Sequence, residues 1–181
     1  MAIIEAAAIT ESGAIVPTMS VGNSASFAQQ ADKIIIELNI GVPAAIEGLH
    51  DIYVPEDRPA RQPIGLVSVD QRIGQPFIEV DAAKIAAIVI THEPDSPSNA
   101  LPPDGDTNAI AGHINTFLRG EVDAGRLTNA LLPLQAGIGT IANAVLHGFE
   151  SSDFDNLTMY SEVLQDSAIE LLDQGKLAFA S

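Results

Sequence analysis

Two runs of β-branched and small apolar residues, IIIELNI at 34–40 and KIAAIVI at 84–90, narrow the choice of fold more than any other feature of the chain. Apolar runs with so little polar alternation suit strands buried on both faces of a parallel sheet. A third run, AIIEAAAI at 2–9, opens the chain as a strand. A Ser12-Gly13 turn and a short strand, AIVPT at 14–18, follow it. Residues 27–31 read as helical, and the turn at 72–74 precedes a further strand, PFIEV, at 76–80. Apolar strands alternating with short helices define an α/β sheet.

The segment 93–108, EPDSPSNALPPDGDTN, breaks this rhythm with four prolines. Proline fixes φ and removes an amide donor, so the segment reads as a linker between a first part, 1–92, and a second, 109–181. The second part opens with a helix over 108–125, carrying Ile110, Ile114, Phe117, Leu118 and Val122 at helical spacing. LLPLQAGIG at 131–139 reads as a strand entering a glycine turn, and TIANAVLHGF at 140–149 as the helix after it. The polar turn SSDFDN leads to LTMYSEV, a strand end, and to the helix LQDSAIELLDQG. This βαβα succession places the glycine turn and Glu162 at carboxyl ends of strands, where parallel sheets bind ligands. The final LAFAS reads as a sheet edge left without a partner, so these residues by themselves are expected to be only marginally stable.

Composition removes several function classes. An apolar fraction of 46% over 181 residues supplies a core and argues against disorder. No run approaches the roughly 20 apolar residues that span a bilayer, and MAIIEAAAIT lacks the basic start of a signal peptide. With no cysteine there is no disulfide, thiolate nucleophile or thiolate metal ligand; this is compatible with the cytoplasm. Against 24 acidic residues stand only 8 basic ones, a formal charge of −16. Such a surface repels nucleic acid and anionic membranes, and is the mark of an acid-biased, salt-tolerant exterior. The histidines His50, His92, His113 and His147 have no metal-binding spacing, so no metal site is expected. His50-Asp51 can orient a catalytic group or close a turn, and Asn23 can face a cleft or simply turn the chain.

Two local patterns carry chemistry. In QAGIGTIANAV, 135–145, Gly137 and Gly139 permit a tight bend whose amides approach a ligand closely, ahead of a helix N-terminus suited to an anion. The same bend is also what a plain strand-to-helix turn requires, and it lacks the third glycine of a dinucleotide fingerprint. Glu162, in TMYSEVLQD between a strand and an amphipathic helix, is either a helix N-terminal charge or a carboxylate facing a cleft. Ser161 beside it has no G-x-S-x-G elbow.

From Ala2 to its end the chain resembles the acetyl-CoA hydrolase/transferase family of class I CoA-transferases. The resemblance rests on AIIEAAAITESG, IVPTMSVGN, ADKIIIELN, EGLHDI, QRIG, PLQAGIGTIANAV and NLTMYSEVLQDSAIELLDQGKLAFAS. It covers a middle section of a considerably longer family member. What it implies about the fold is a parallel-sheet, NagB/RpiA-like architecture. Residues 1–92 would be the C-terminal part of a first CoA-transferase domain and 109–181 the N-terminal part of a second. The implied activity is exchange of coenzyme A between short-chain acids such as acetate, propionate and succinate, in the manner of succinyl-CoA:acetate or propionyl-CoA:succinate transferases. In the motif [WY]-[ST]-E-V-[LI]-Q, Glu162 occupies the position of the glutamate that forms an acyl anhydride and then a glutamyl-CoA thioester.

The resemblance further makes Gly137, Ile138 and Gly139 half of an oxyanion hole, with the Ile138 N–H as donor and Gln135, Asn143 and Tyr160 as supporting neighbours. It implies no permanently bound cofactor, acyl-CoA and carboxylates as substrates, and a homodimer for the full-length enzyme, cytoplasmic or, in a eukaryote, mitochondrial. One position departs from the pattern: where many relatives carry Arg after the residue corresponding to Asp95, this chain has Ser96, which bears on substrate preference. Two alternatives stand beside transfer: an acyl-CoA hydrolase using the same glutamate, and a non-catalytic remnant.

Overall fold

A computed structural model describes residues 1–95 and 102–181. They divide into two compact units. The first holds the chain up to Leu66 and resumes at Arg72. The second takes Val67–Gln71 and the C-terminal part of the chain. Ser96 and the middle of the expected 93–108 linker lie outside the described residues.

In the first unit, β1 (Ala2–Ile9), β2 (Ile15–Pro17), β3 (Ile34–Asn39) and β4 (Ile85–Thr91) form a sheet in the order β2-β1-β3-β4. β1, β3 and β4 run parallel, and β2 returns antiparallel beside β1. Burial along β1 alternates strictly at first: Ala2, Ile4 and Ala6 are buried while Ile3 is 66% exposed. The inward set packs with Ile34 and Ile36 of β3 and with Ala25, Ala28 and Ala31, on or just after α1 (Ser24–Gln30). Small residues on that helix face let it lie close against the sheet, and Ile15 and Ile78 complete the cluster.

Burial on both faces, the expectation for 34–40 and 84–90, is corrected. β3 buries Ile34 and Ile36 fully but its opposite face only in part, and β4 is exposed along Ala86–Ile90, with Ile90 at 67%. β4 gives only its first residue, Ile85, to the first unit's cluster, so an apolar run reports strand propensity but not what packs over its faces. PFIEV forms no named strand and contributes one antiparallel bridge, Ile78 to Ile15. α1 starts three residues ahead of the expected helix.

The second unit begins with α2 (Gly105–Asp123), inside the segment read as linker. Asp104 explains the early start: its carboxylate accepts from the Thr107 N–H at 2.8 Å while Thr107 bonds back to Asp104, a reciprocal cap. That cap holds the Asp104 carboxyl below the usual carboxylate range. α3 (Thr140–Glu150), β5 (Leu157–Met159), α4 (Asp166–Asp173) and β6 (Leu177–Ala180) follow. β5 and β6 pair in parallel, so the apolar LAFAS run does have a strand partner. The strand expected at 131–139 is reduced to one parallel bridge, Leu134 to Met159; Pro133 withholds an amide from any longer ladder.

Leu146, Phe149, Phe154, Leu157, Met159, Leu171 and Leu177 form this unit's core. Phe149 and Phe154 meet edge to face at 5.5 Å, and the Arg119 guanidinium covers the Phe154 ring at 4.9 Å. Gly148 faces α2, where a Cβ would displace the Asn115 side chain and meet Ala111 at an ordinary 3.6 Å. Among the described residues no helix is long and apolar enough to cross a membrane.

Candidate active site

The parallel bridge between Leu134 and Met159 brings two loops out side by side. Leu134 N–H donates to the Thr158 carbonyl at 2.8 Å, and Tyr160 N–H donates to the Leu134 carbonyl at 2.9 Å. The chain leaves the bridge on one side as Gln135 to Gly139 and on the other as Tyr160 to Gln165. Both leave at carboxyl ends, the place where parallel sheets present ligand-binding groups.

Two side chains of the second loop stitch it to the first. Ser161 accepts from the Ala136 N–H at 3.3 Å and donates to the Ala136 carbonyl at 3.0 Å, with the Val163 carbonyl an alternative acceptor at 3.1 Å. The Gln165 amide spans the glycine bend: its Nε2 donates to the Gly137 carbonyl at 3.0 Å, and its Oε1 accepts from the Gly139 N–H at 3.2 Å. Gly139 has φ +146°, a value that L side chains rarely adopt, so this position needs glycine. Gly137 has no such φ, and a Cβ there would meet nothing within 4 Å.

What remains unpaired is informative. Ile138 N–H donates to no protein acceptor among the described residues, and the Ile138 side chain is 77% exposed. Glu162 is exposed, sits in a bend between Ser161 and Gln165, and makes no hydrogen bond or ion pair among the described residues. α3 starts immediately after Gly139, adding the positive end of an eleven-residue helix to the bend.

The three residues expected to support the site fall in different places. Asn143 is buried on the first turn of α3, where its Oδ1 accepts from the Ser167 hydroxyl at 2.8 Å and so ties α3 to the start of α4. Tyr160 is 41% exposed and takes part through its backbone amide. Gln135 is exposed on the first loop. Ser161 and Gln165, which make the connections, are specified positions of the motif that holds Glu162, but carried no role of their own in the sequence.

At the far end of α3, His147 Nδ1 lies 2.5 Å from Glu150 Oε1 and 3.7 Å from Glu170 Oε2. The three groups could offer ligand atoms within 4.8 Å of one another. Burial pushes the Glu150 carboxyl up, but the Gln174 hydrogen bond, with Glu170 and His147, leaves it below the usual range. Linear spacing did not show this cluster, because Glu170 comes from α4.

In the first unit, His50 and Asp51 close turns. Asp51 accepts from the Gly74 N–H at 2.7 Å and from the Ile73 N–H, and His50 Nε2 lies 3.1 Å from the Thr18 carbonyl. Asn23 is exposed at the start of α1 and offers no side-chain cap.

Residues 1–90 match the acetyl-CoA hydrolase/transferase N-terminal domain family. Over 180 residues, 99% of this chain, the sequence is 49% identical to an acetyl-CoA hydrolase of Schizosaccharomyces pombe. Over 176 residues, 97% of the chain, it is 43% identical to a succinyl-CoA:acetate CoA-transferase of Clostridium kluyveri. The chain spans about a third of the length of these relatives, 34% and 33% respectively. Among solved structures, RipA from Yersinia pestis has a similar fold, with a TM-score of 0.59 at 16% identity over 97% of this chain and 31% of that one. A 4-hydroxybutyrate CoA-transferase from Porphyromonas gingivalis gives a TM-score of 0.56 at 18% identity, over 97% of this chain and 34% of its own. The matched domain and the relatives aligned along the chain place it in the acetyl-CoA hydrolase/transferase family.

Proposed function

We propose that this chain is the part of a longer CoA-transferase that carries its covalent carboxylate, Glu162, and one oxyanion donor, the Ile138 N–H. Residues 1–92 belong to the C-terminal part of a first CoA-transferase domain in this reading, and 109–181 to the N-terminal part of a second. The observation that supports it best is that these two groups lie on adjoining loops at the carboxyl end of one parallel bridge and have no protein partner among the described residues.

The chemistry follows from what a carboxylate can do. A Glu162 oxygen attacks the acyl-CoA carbonyl, the C–S bond breaks, and CoA thiolate leaves an acyl-glutamyl anhydride. Thiolate then attacks the glutamyl carbonyl, expels the first acid as its carboxylate and forms a glutamyl-CoA thioester. An incoming acid attacks that thioester, and thiolate returns to the acyl carbon to release the new acyl-CoA and restore Glu162. Anhydride and thioester are close in energy, which suits a reversible exchange and a modest nucleophile. Each attack places negative charge on a carbonyl oxygen, where a fixed amide such as the Ile138 N–H is worth about 3 kcal/mol. Binding of the remote CoA body drives the reacting centre together. No resident cofactor enters this scheme; acyl-CoA and short-chain carboxylates are substrates, and the full-length enzyme is a homodimer.

Hydrolysis is the second reading, favoured by the relative from Schizosaccharomyces pombe, named an acetyl-CoA hydrolase. Here water, in place of an acid, opens the glutamyl thioester. The complete enzyme given acetyl-CoA with and without propionate or succinate decides between them. Transfer predicts a new acyl-CoA only when the acceptor is present; hydrolysis predicts free thiol without it. Either activity surviving in Glu162→Gln rejects the assignment of this residue.

A further inference from the structure

We infer that Gln165 is a positioning residue which fixes the peptide orientation of the glycine bend, so that the Ile138 N–H is turned toward the reacting oxygen; this rests on the function proposed above. Three consecutive residues in the bend offer three N–H and three C=O groups, and a flexible glycine pair can turn them many ways. Gln165 removes that freedom with both ends of one planar group. Its Nε2 holds the Gly137 carbonyl at 3.0 Å and its Oε1 holds the Gly139 N–H at 3.2 Å.

The two held groups belong to the peptides on either side of Ile138. With the Gly137 carbonyl engaged by Gln165, the Ile138 N–H of the same planar peptide is forced to the opposite side. The Gly139 N–H, a competing donor in the same bend, is consumed by Oε1. Ser161 adds a second tie one residue earlier, on the Ala136 peptide. Since Gln165 and Ser161 flank Glu162 on its own loop, the same hydrogen bonds that aim the amide also set the carboxylate's loop against the bend. A rigid, correctly aimed donor costs no reorganisation when charge develops, which is how a hydrogen bond away from the substrate affects rate.

Amide geometry, and not bulk, should be what matters at this position. In Gln165→Glu the acceptor for Gly139 survives, but the donor to Gly137 is lost and a charge faces a carbonyl; protonating that carboxyl restores a donor. In the complete enzyme, rapid-quench measurement of glutamyl-CoA formation from acetyl-CoA is expected to fall about 10²-fold in Gln165→Ala, the scale of a small misplacement of a reacting group, with KM within about twofold of wild type. The rate of Gln165→Glu, divided by that of wild type at each pH, should climb as pH falls toward the carboxyl range. Hydrogen exchange should quicken at the Gly139 amide in Gln165→Ala while β5 stays protected.

A labelled wild type with an unaltered Gln165→Ala rate overturns this inference alone. A slowed Gln165→Ala whose melting temperature has collapsed, together with a flat pH ratio for Gln165→Glu, also overturns it, since that is the pattern of a merely structural residue. A wild-type enzyme that never labels Glu162 overturns the reaction on which the inference stands.

Discussion

The carboxyl ends of the two parallel arrangements make an instructive pair. In the first unit, Glu5 on β1 and Asn39 at the end of β3 satisfy one another and their surroundings. Glu5 accepts from the Asn39 amide at 2.8 Å and from the Thr18 hydroxyl at 3.0 Å, while the Asn39 Oδ1 accepts from the N–H groups of Gly41 and Glu93. In the second unit, Glu162 and the Ile138 N–H stand at the equivalent place with no such partners. A polar group that the protein has already satisfied holds loops in place, whereas one left open on a braced loop is available to a substrate. Both units use polar side chains at strand ends, and in the second Glu162 and the Ile138 amide have no such partner among the described residues.

Substitutions can break or sharpen that contrast. The largest effect should come from Glu162→Gln, which removes the attacking oxygen's charge but leaves the fold; CoA exchange by the complete enzyme should fall at least about 10⁴-fold with an unchanged melting temperature. Next is Phe149→Ala, which empties the edge-to-face pair with Phe154 and should cost about 3–5 kcal/mol in denaturant unfolding of the second unit.

Asn39→Ala comes third. It strands the N–H groups of Gly41 and Glu93 and one Glu5 oxygen, a loss of about 2 kcal/mol by the same measurement, felt as stability because the first unit's polar end is structural. The glycines of the bend come fourth and divide the two kinds of role. Gly139→Ala should cost about 1–2 kcal/mol of stability because of its φ. Gly137→Ala should stay within about 0.5 kcal/mol. Any loss of exchange rate in Gly137→Ala therefore reports a substrate that needs the space.

The smallest effect concerns the start of α2. Asp104 titrates below the usual carboxylate range in the folded chain, held there by hydrogen bonds from Thr107 and, less strongly, from its own neighbourhood. Its contribution is therefore present above the ordinary carboxylate range and fades as pH falls through the lower folded value. Acid titration followed by helical circular dichroism should show a small loss in wild type that is absent in Asp104→Ala.

The strands and helices were largely legible from the sequence because their signals are local. β1, β3, α3 and α4 followed from apolar runs and periodicity, and the reciprocal Asp104-Thr107 cap could have moved the start of α2 to its observed place. Cover was not legible: the run at 84–90 reads the same whether a strand is enclosed or lies at the end of a sheet, since burial depends on what packs above it. The strand read at 131–139 was too long, since Pro133 and the glycines leave a single bridge. In the candidate site, Glu162 and the glycine bend stood out as motifs, yet the role of the residues that join them did not. Gln165 is only the closing position of the Glu162 motif until the structure shows both of its amide atoms on the bend, because hydrogen bonds across 26 and 28 positions leave no periodic trace.

Covalent trapping addresses the central claim most directly. The complete enzyme is incubated with acetyl-CoA, treated with borohydride and digested, and the peptide containing TMYSEVLQD is sequenced by mass spectrometry. Conversion of the Glu162 side chain to its alcohol, only when acyl-CoA was present, is the expected result. An unmodified Glu162 in enzyme that is turning over, or reduction at a different carboxylate, would contradict the account.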